Sequence, residues 1–204
     1  VVTTPHPLQD SVGDGTRGAV RRKVSTMIRT FSTLLCTAAI AATVASPLAA
    51  ERPTATAALM DADGKQAGTV EFQATPSGMM WIAASAEGLP EGKHGFHIHE
   101  TGKCDAADGF KSAGGHLAGD AEHGVLNEGG PHPGDLPNVT VAENGSLNAE
   151  FFVSRLSVEG GWFEEAGLFD EDGSAVVVHS GADDYTSQPS GDAGNRILCG
   201  VIER

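Results

Sequence analysis

The chain has 204 residues, 27 of them glycine, with 40% hydrophobic and only 5% aromatic residues and a formal net charge of −14. That length holds one domain or two small ones with a sizeable core. The acidic balance argues against nucleic acid and anionic membrane surfaces as partners, and a glycine-rich, aromatic-poor composition points to a turn-rich β protein.

Residues 1–26 have no hydrophobic periodicity and read as a disordered leader or upstream translated segment, with Met27 as the start of the protein proper. From there Arg29 precedes an apolar, alanine-rich run, Phe31 to Ala45, closed by Ser46-Pro47-Leu48-Ala49-Ala50. A charged start, a short apolar stretch and small residues at the end have the form of a secretory signal peptide over 27–50. The run is too short for a membrane-spanning helix, so no membrane association is expected once it is removed. Residues 1–50 carry five basic and two acidic residues, which leaves eight against 25, or −17, on a single domain of 51–204. Cys104 and Cys199 are the cysteines of that domain, and an exported, oxidising setting makes a disulfide between them the natural reading.

The domain then runs as short strands separated by turn residues. Thr54–Met60 and Thr69–Thr75 flank Asp61-Ala62-Asp63-Gly64, and Met79–Ala86 follows Pro76-Ser77-Gly78. His94–His99 comes next; Asn138–Glu143 and Leu147–Leu156 flank the hairpin signal Asn144-Gly145; Ala175–His179 and Ile197–Ile202 complete the set. Eight such strands, with no convincing helix and no repeat, predict a β-sandwich or barrel.

His94-Gly95-Phe96-His97-Ile98-His99-Glu100 carries the first chemistry. Alternation puts Phe96 and Ile98 on one strand face and the His97 and His99 imidazoles together on the other. Glu100 to Pro137 lacks strand pattern, and loops of that length are usually functional or disordered. It holds His116, His123 and His132, with Asp135 three positions after His132. Three imidazoles and a carboxylate suit zinc, and three or four imidazoles in a flatter arrangement suit copper. Counting His179, there are donors for two adjacent ions if one histidine is shared, and spacing alone does not assign them. A second loop, Ser180–Asn195, follows His179.

Six ordered blocks together resemble one family: Gly95–Glu100, Cys104, Gly114-Gly115-His116, His132-Pro133-Gly134-Asp135-Leu136-Pro137, Val178–Asp184 and Gly194–Val201. They are similar to copper/zinc superoxide dismutases of the bacterial exported kind, over about residues 54–203. The resemblance implies an eight-stranded antiparallel Greek-key β-sandwich or barrel with long metal-binding and active-site loops, located in the periplasm or otherwise exported. It implies copper on His97, His99, His116 and His179, and zinc on His116, His123, His132 and Asp135, with the His116 ring bridging both. Asp183 then links a copper-side and a zinc-side imidazole, Arg196 receives the anionic substrate beside copper, and His94 is structural. The implied reaction turns superoxide into dioxygen and hydrogen peroxide by copper redox cycling, His116 supplying a proton. Lys103, Lys111 and Arg155 are candidate helpers in attracting the anion.

One block departs from the pattern. His116 to His123 is shorter by one or two residues than is usual in the family and lacks the Asn/Asp-Pro after the bridging histidine, which leaves Asp120 as an alternative zinc ligand to His123. Two other functions compete: a non-catalytic metal-storage or delivery module on the same fold, and a zinc hydrolase using His97 and His99 with a carboxylate base. Arg196 speaks against the first, and the side of the strand expected for Glu100 against the second. The oligomeric state stays open, a homodimer among the options.

Overall fold

The computed structural model describes residues 54–158 and 166–204. The leader, the export segment expected over 27–50 and its cleavage point lie outside the described residues. Among the described residues ten strands form: β1 (Thr54–Met60), β2 (Gln66–Ala74), β3 (Met80–Ala86), β4 (Gly92–His99), β5 (Asp135–Val141), β6 (Leu147–Val153), β7 (Leu156–Ser157), β8 (Ala166–Gly167), β9 (Ala175–His179) and β10 (Arg196–Glu203). Eight of them close into a barrel in the order β1-β10-β9-β4-β5-β6-β3-β2, and its pairings are antiparallel. The chain leaves β3 and crosses to β4, two strands away from β3's neighbour β6, which gives the Greek-key connectivity. The short β7 and β8 pair with each other in parallel, apart from the barrel.

Alternation builds the core. Ala55, Ala57 and Leu59 of β1, Val70 and Phe72 of β2, Met80 and Ile82 of β3, Phe96 and Ile98 of β4 and Val176 and Val178 of β9 all point inward and are buried. Strand β9 is buried on both faces, because Ala175 and Val177 meet a second cluster outside the barrel with Phe110, Ala113 and Cys199. The outer cluster is the underside of the long loop, pinned to β10 by the Cys104–Cys199 disulfide. Two short 3-10 turns, Ala106–Asp108 and Lys111–Ala113, are its only regular structure among the described residues.

The eight barrel strands fall where the sequence pattern puts them, with end shifts of up to three residues. Strand β2 begins at Gln66, three residues earlier than expected. The sixth strand stops at Val153, and Leu156 belongs to the small parallel sheet. Strand β5 begins at Asp135, although Pro137 follows and has no N–H for a ladder. The register explains this: His94 pairs with Val139 and Phe96 with Leu136, so Pro137 and Asn138 lie in a bulge opposite Gly95. The bulge also frees the Gly95 N–H to bond Gly181 O at 2.8 Å and the Asn138 N–H to bond the Tyr185 hydroxyl at 2.9 Å, so the second loop is tied down here.

Candidate metal centre

Strand register delivers one side of the site. His97 of β4 lies opposite Asp135 of β5 and Val177 of β9, and His179 at the end of β9 lies opposite Arg196 at the start of β10. The long loop returns beside the end of β4, where His99 and His116 form an isolated bridge. Phe96 and Ile98 are fully buried in the barrel core and hold β4 with its two imidazoles facing outward under the loops. His97, His99, His116, His123, His132 and His179 are all buried.

These residues fall into two groups that share one ring. Donor atoms of His97, His99, His116 and His179 lie within 4.8 Å of one another, and so do those of His116, His123, His132 and Asp135. His116 serves both through different nitrogens: Nδ1 stands 2.8 Å from Asp135 Oδ1, and Nε2 has no hydrogen-bond partner among the described residues. The same is true of His97 Nδ1, His99 Nε2 and His179 Nε2. Four buried ring nitrogens left unpaired in one place would be costly without a ligand, and four imidazole nitrogens are a donor set suited to copper.

The second group converges on a single carboxylate oxygen. Nδ1 of His116, His123 and His132 lie 2.8, 3.0 and 3.1 Å from Asp135 Oδ1. In a tetrahedral zinc site with bonds near 2.05 Å, ligand atoms are about 3.3 Å apart, so these donors already approximate the edges of that tetrahedron. The other Asp135 oxygen accepts from the N–H groups of Gly124 at 2.9 Å and His132 at 3.0 Å, which fixes the carboxylate. The chemistry and spacing of both groups therefore fit a copper ion and a zinc ion.

Hydrogen bonds on the far side of the His97, His99 and His123 rings select which nitrogen faces inward. Asp183 accepts from His97 Nε2 at 2.8 Å through one oxygen and from His123 Nε2 at 3.1 Å through the other, so one buried carboxylate links the two groups. His99 Nδ1 is turned to Gly114 O at 3.1 Å. Burial, reinforced by the neighbouring rings His97 and His123, lowers the His116 pKa to about 4. Burial together with His97, His116 and Arg196 lowers that of His179 to about 3, and burial lowers His99 likewise. Burial works to raise the Asp135 carboxyl, but the bond from His116 and the Gly124 N–H outweigh it and hold it below the usual range. The same balance brings Asp183 to about 2. At neutral pH the His99, His116 and His179 rings are thus neutral donors and the Asp135 and Asp183 carboxylates charged, the protonation states a metal requires.

Arg196 sits beside the first group, its guanidinium donating to Phe110 O and Gly114 O, each at 2.6 Å. Phe110 holds its carbonyl there with a left-handed backbone, φ 62°, a conformation stored at functional positions in a non-glycine residue. His94 has both ring nitrogens against carbonyls, His179 O at 2.8 Å and Pro90 O at 2.9 Å, and stands in the structural place expected of it. His123, despite the short segment before it, is fully buried within the second group, whereas Asp120 is exposed and outside it. Arg155, one of the candidate helpers, donates to Pro131 O and so braces the loop that carries the second group. Sequence reasoning missed Asn138, Tyr185, Gln188 and Gly191, which hold the histidines and Asp183 from behind. Asn138 reads in sequence as the first residue of a strand; its amide bonds both Asp183 N and Asp183 O at 2.8 Å.

An antiparallel Greek-key barrel whose outer loops bring two donor groups together around a shared imidazole defines a binuclear transition-metal protein. Comparison with known proteins narrows that class. The model of the copper/zinc superoxide dismutase (SODC) family matches residues 66–202, and the chain belongs to this family. It is 42% identical over 151 residues to a Cu-Zn superoxide dismutase of Caulobacter vibrioides, covering 73% of this chain and 85% of that one. A second Cu-Zn superoxide dismutase, from Aquifex aeolicus, is 43% identical over 148 residues, 72% of this chain and 84% of the relative. Among solved structures, a double mutant of a superoxide dismutase-like protein from Bacillus subtilis superposes with a TM-score of 0.66 at 39% identity, covering 71% of this chain and 94% of that chain.

Proposed function

We propose that the chain is an exported superoxide dismutase, with residues 27–50 as its export signal and 51–204 as the mature, periplasmic enzyme. The observation that carries this reading is the sharing of His116, one nitrogen toward the donors of His97, His99 and His179 and the other toward the Asp135 group. In this reading His97, His99, His116 and His179 hold copper, and His116, His123, His132 and Asp135 hold zinc. Bound there, copper would supply the one-electron redox chemistry by which two superoxide anions and two protons become dioxygen and hydrogen peroxide.

The protein's residues supply binding, orientation and protons. Arg196 offers a cation at the site while the domain as a whole is strongly acidic, so the local field rather than net charge attracts the anion. Its two carbonyl partners keep the guanidinium in place between encounters. His116 Nε2 is the atom that takes up and hands on a proton, and its Nδ1 contact keeps the ring from turning away. Asp183 fixes the tautomers of His97 and His123 together.

Protein made from the full chain and loaded with copper and zinc is expected to dismutate superoxide. Arg196→Met is expected to keep both metals and lose about tenfold in rate, with a weaker salt dependence, because the attracting charge is gone. Fully loaded parent protein without activity would refute the enzyme reading. An active enzyme in which Arg196→Met changes neither rate nor salt dependence would refute the role of Arg196.

A further inference from the structure

We propose that Gln188 is a positioning residue for His123, so that the second loop sets the zinc-side geometry. This rests on the reading of His123 as a zinc ligand. The side-chain amide of Gln188 grips the backbone of His123 at both polar groups. Its Oε1 accepts from His123 N at 3.0 Å, and its Nε2 donates to His123 O at 2.8 Å. An amide side chain used this way acts as one rung of a β ladder where no strand is present, and fixes the backbone of His123 across 65 positions of sequence.

The grip matters because the short segment after His116 does not position His123 by itself. No strand or helix covers residues 117–134, and His123 is reached seven positions after the shared ring. Its imidazole is held from the same side, by Asp183 Oδ1 at 3.1 Å. Asn127 adds a brace, its Nδ2 donating to His123 O and, at 2.8 Å, to Thr186 O. Backbone and ring of one ligand are thus both fastened to residues 183–188, leaving Nδ1 to face Asp135.

Gln188 is itself held in place. The loop around it is drawn together by Asp184, which accepts from Thr186 N at 2.8 Å, Ser187 N at 2.7 Å and Ser187 Oγ at 2.6 Å. Gly191 closes it, donating to Ser187 O at 2.7 Å and accepting from Asp184 N at 2.9 Å. The residue must also present a donor and an acceptor at the same reach. Glutamate keeps the shape and loses the donor; methionine keeps the length and loses both.

The test is zinc affinity by chelator competition, with cobalt(II) as a spectroscopic probe of the zinc side, on holoprotein made from the full chain with Gln188→Glu and Gln188→Met. Both variants are expected to bind zinc about tenfold more weakly and to change the visible cobalt spectrum, while the copper-side spectrum at saturating zinc stays that of the parent. Should the methionine variant fail to fold, the glutamate variant alone decides. Zinc affinity within twofold of the parent and an unchanged cobalt spectrum overturn the proposal. His123→Ala, measured alongside, separates the two ideas. Loss of zinc there with unaffected Gln188 variants sinks the positioning role alone, and retention of zinc there sinks the ligand reading beneath it.

Discussion

Gly191→Ala is expected to disable the link between the two donor groups, and the structure sets the size of the effect. A Cβ at 191 would lie 1.8 Å from Asp183 Oδ1 and 2.7 Å from His123 Nε2, on a backbone at φ +69°. Ordinary contact begins near 3.4 Å, so the Asp183 carboxylate must move by well over an ångström. That breaks its bonds to His123 at 3.1 Å and to the Tyr185 N–H at 2.6 Å. Two buried bonds to a charged group are worth about 1.5–3 kcal/mol each, and the left-handed backbone adds about 1 kcal/mol. Gly64→Ala is the matched control, with φ +76° and nothing within 4 Å of the added carbon. Thermal unfolding of the metal-free, disulfide-intact protein should show a fall of about 3 °C for Gly64→Ala and more than about 10 °C for Gly191→Ala, at roughly 3 °C per kcal/mol for a domain this size. Zinc stoichiometry should drop in the second variant only. Equal melting shifts with zinc retained in both would refute the packing argument, since only the shared backbone penalty would then be acting.

Acidification should destabilise the metal-free protein well above the range in which carboxylates titrate. His116 and His179 take up protons at about 4 and about 3 in the native state and near 6.5 in the unfolded chain. The unfolded state therefore binds more protons between these values, and the stability present above pH 6.5 declines as pH falls toward 4, by several kcal/mol in order of magnitude. Asp135 and Asp183, both lowered, extend the loss below about 3.8 in the same direction. A melting temperature independent of pH between 7.5 and 5 would contradict this. Replacing Cys104 and Cys199 by serine together should cost about 4–5 kcal/mol for a closed loop of 95 positions. It should also lower activity more than copper content, because the loop carrying the Phe110 and Gly114 carbonyls steers Arg196; equal activity per copper would show that the loop holds its place without the disulfide.

Much of this molecule is legible in its residue pattern. Period-two alternation marks the eight barrel strands, since a strand with one face in the core must alternate. It also gives the opposed faces of β4, with Phe96 and Ile98 inward and His97 and His99 outward. The ordered blocks around these residues point to the family, and the two cysteines of the domain to their pairing. The start of β5 is harder to read because Pro137 looks like a strand breaker until its place in a bulge opposite Gly95 is known.

The sequence by itself determined which residues have metal-binding chemistry and which face of each strand they occupy, because side-chain type and alternation are local. Tertiary structure decided which nitrogen of each ring faces inward, that His116 touches both groups, and that Asp183 spans from His97 to His123. It also decided that ordinary polar residues, Asn138 and Gln188, hold the backbones of Asp183 and His123. These contacts join positions 19 to 86 apart, so they depend on barrel register and on two loops meeting over β4. No local pattern of residues encodes that meeting.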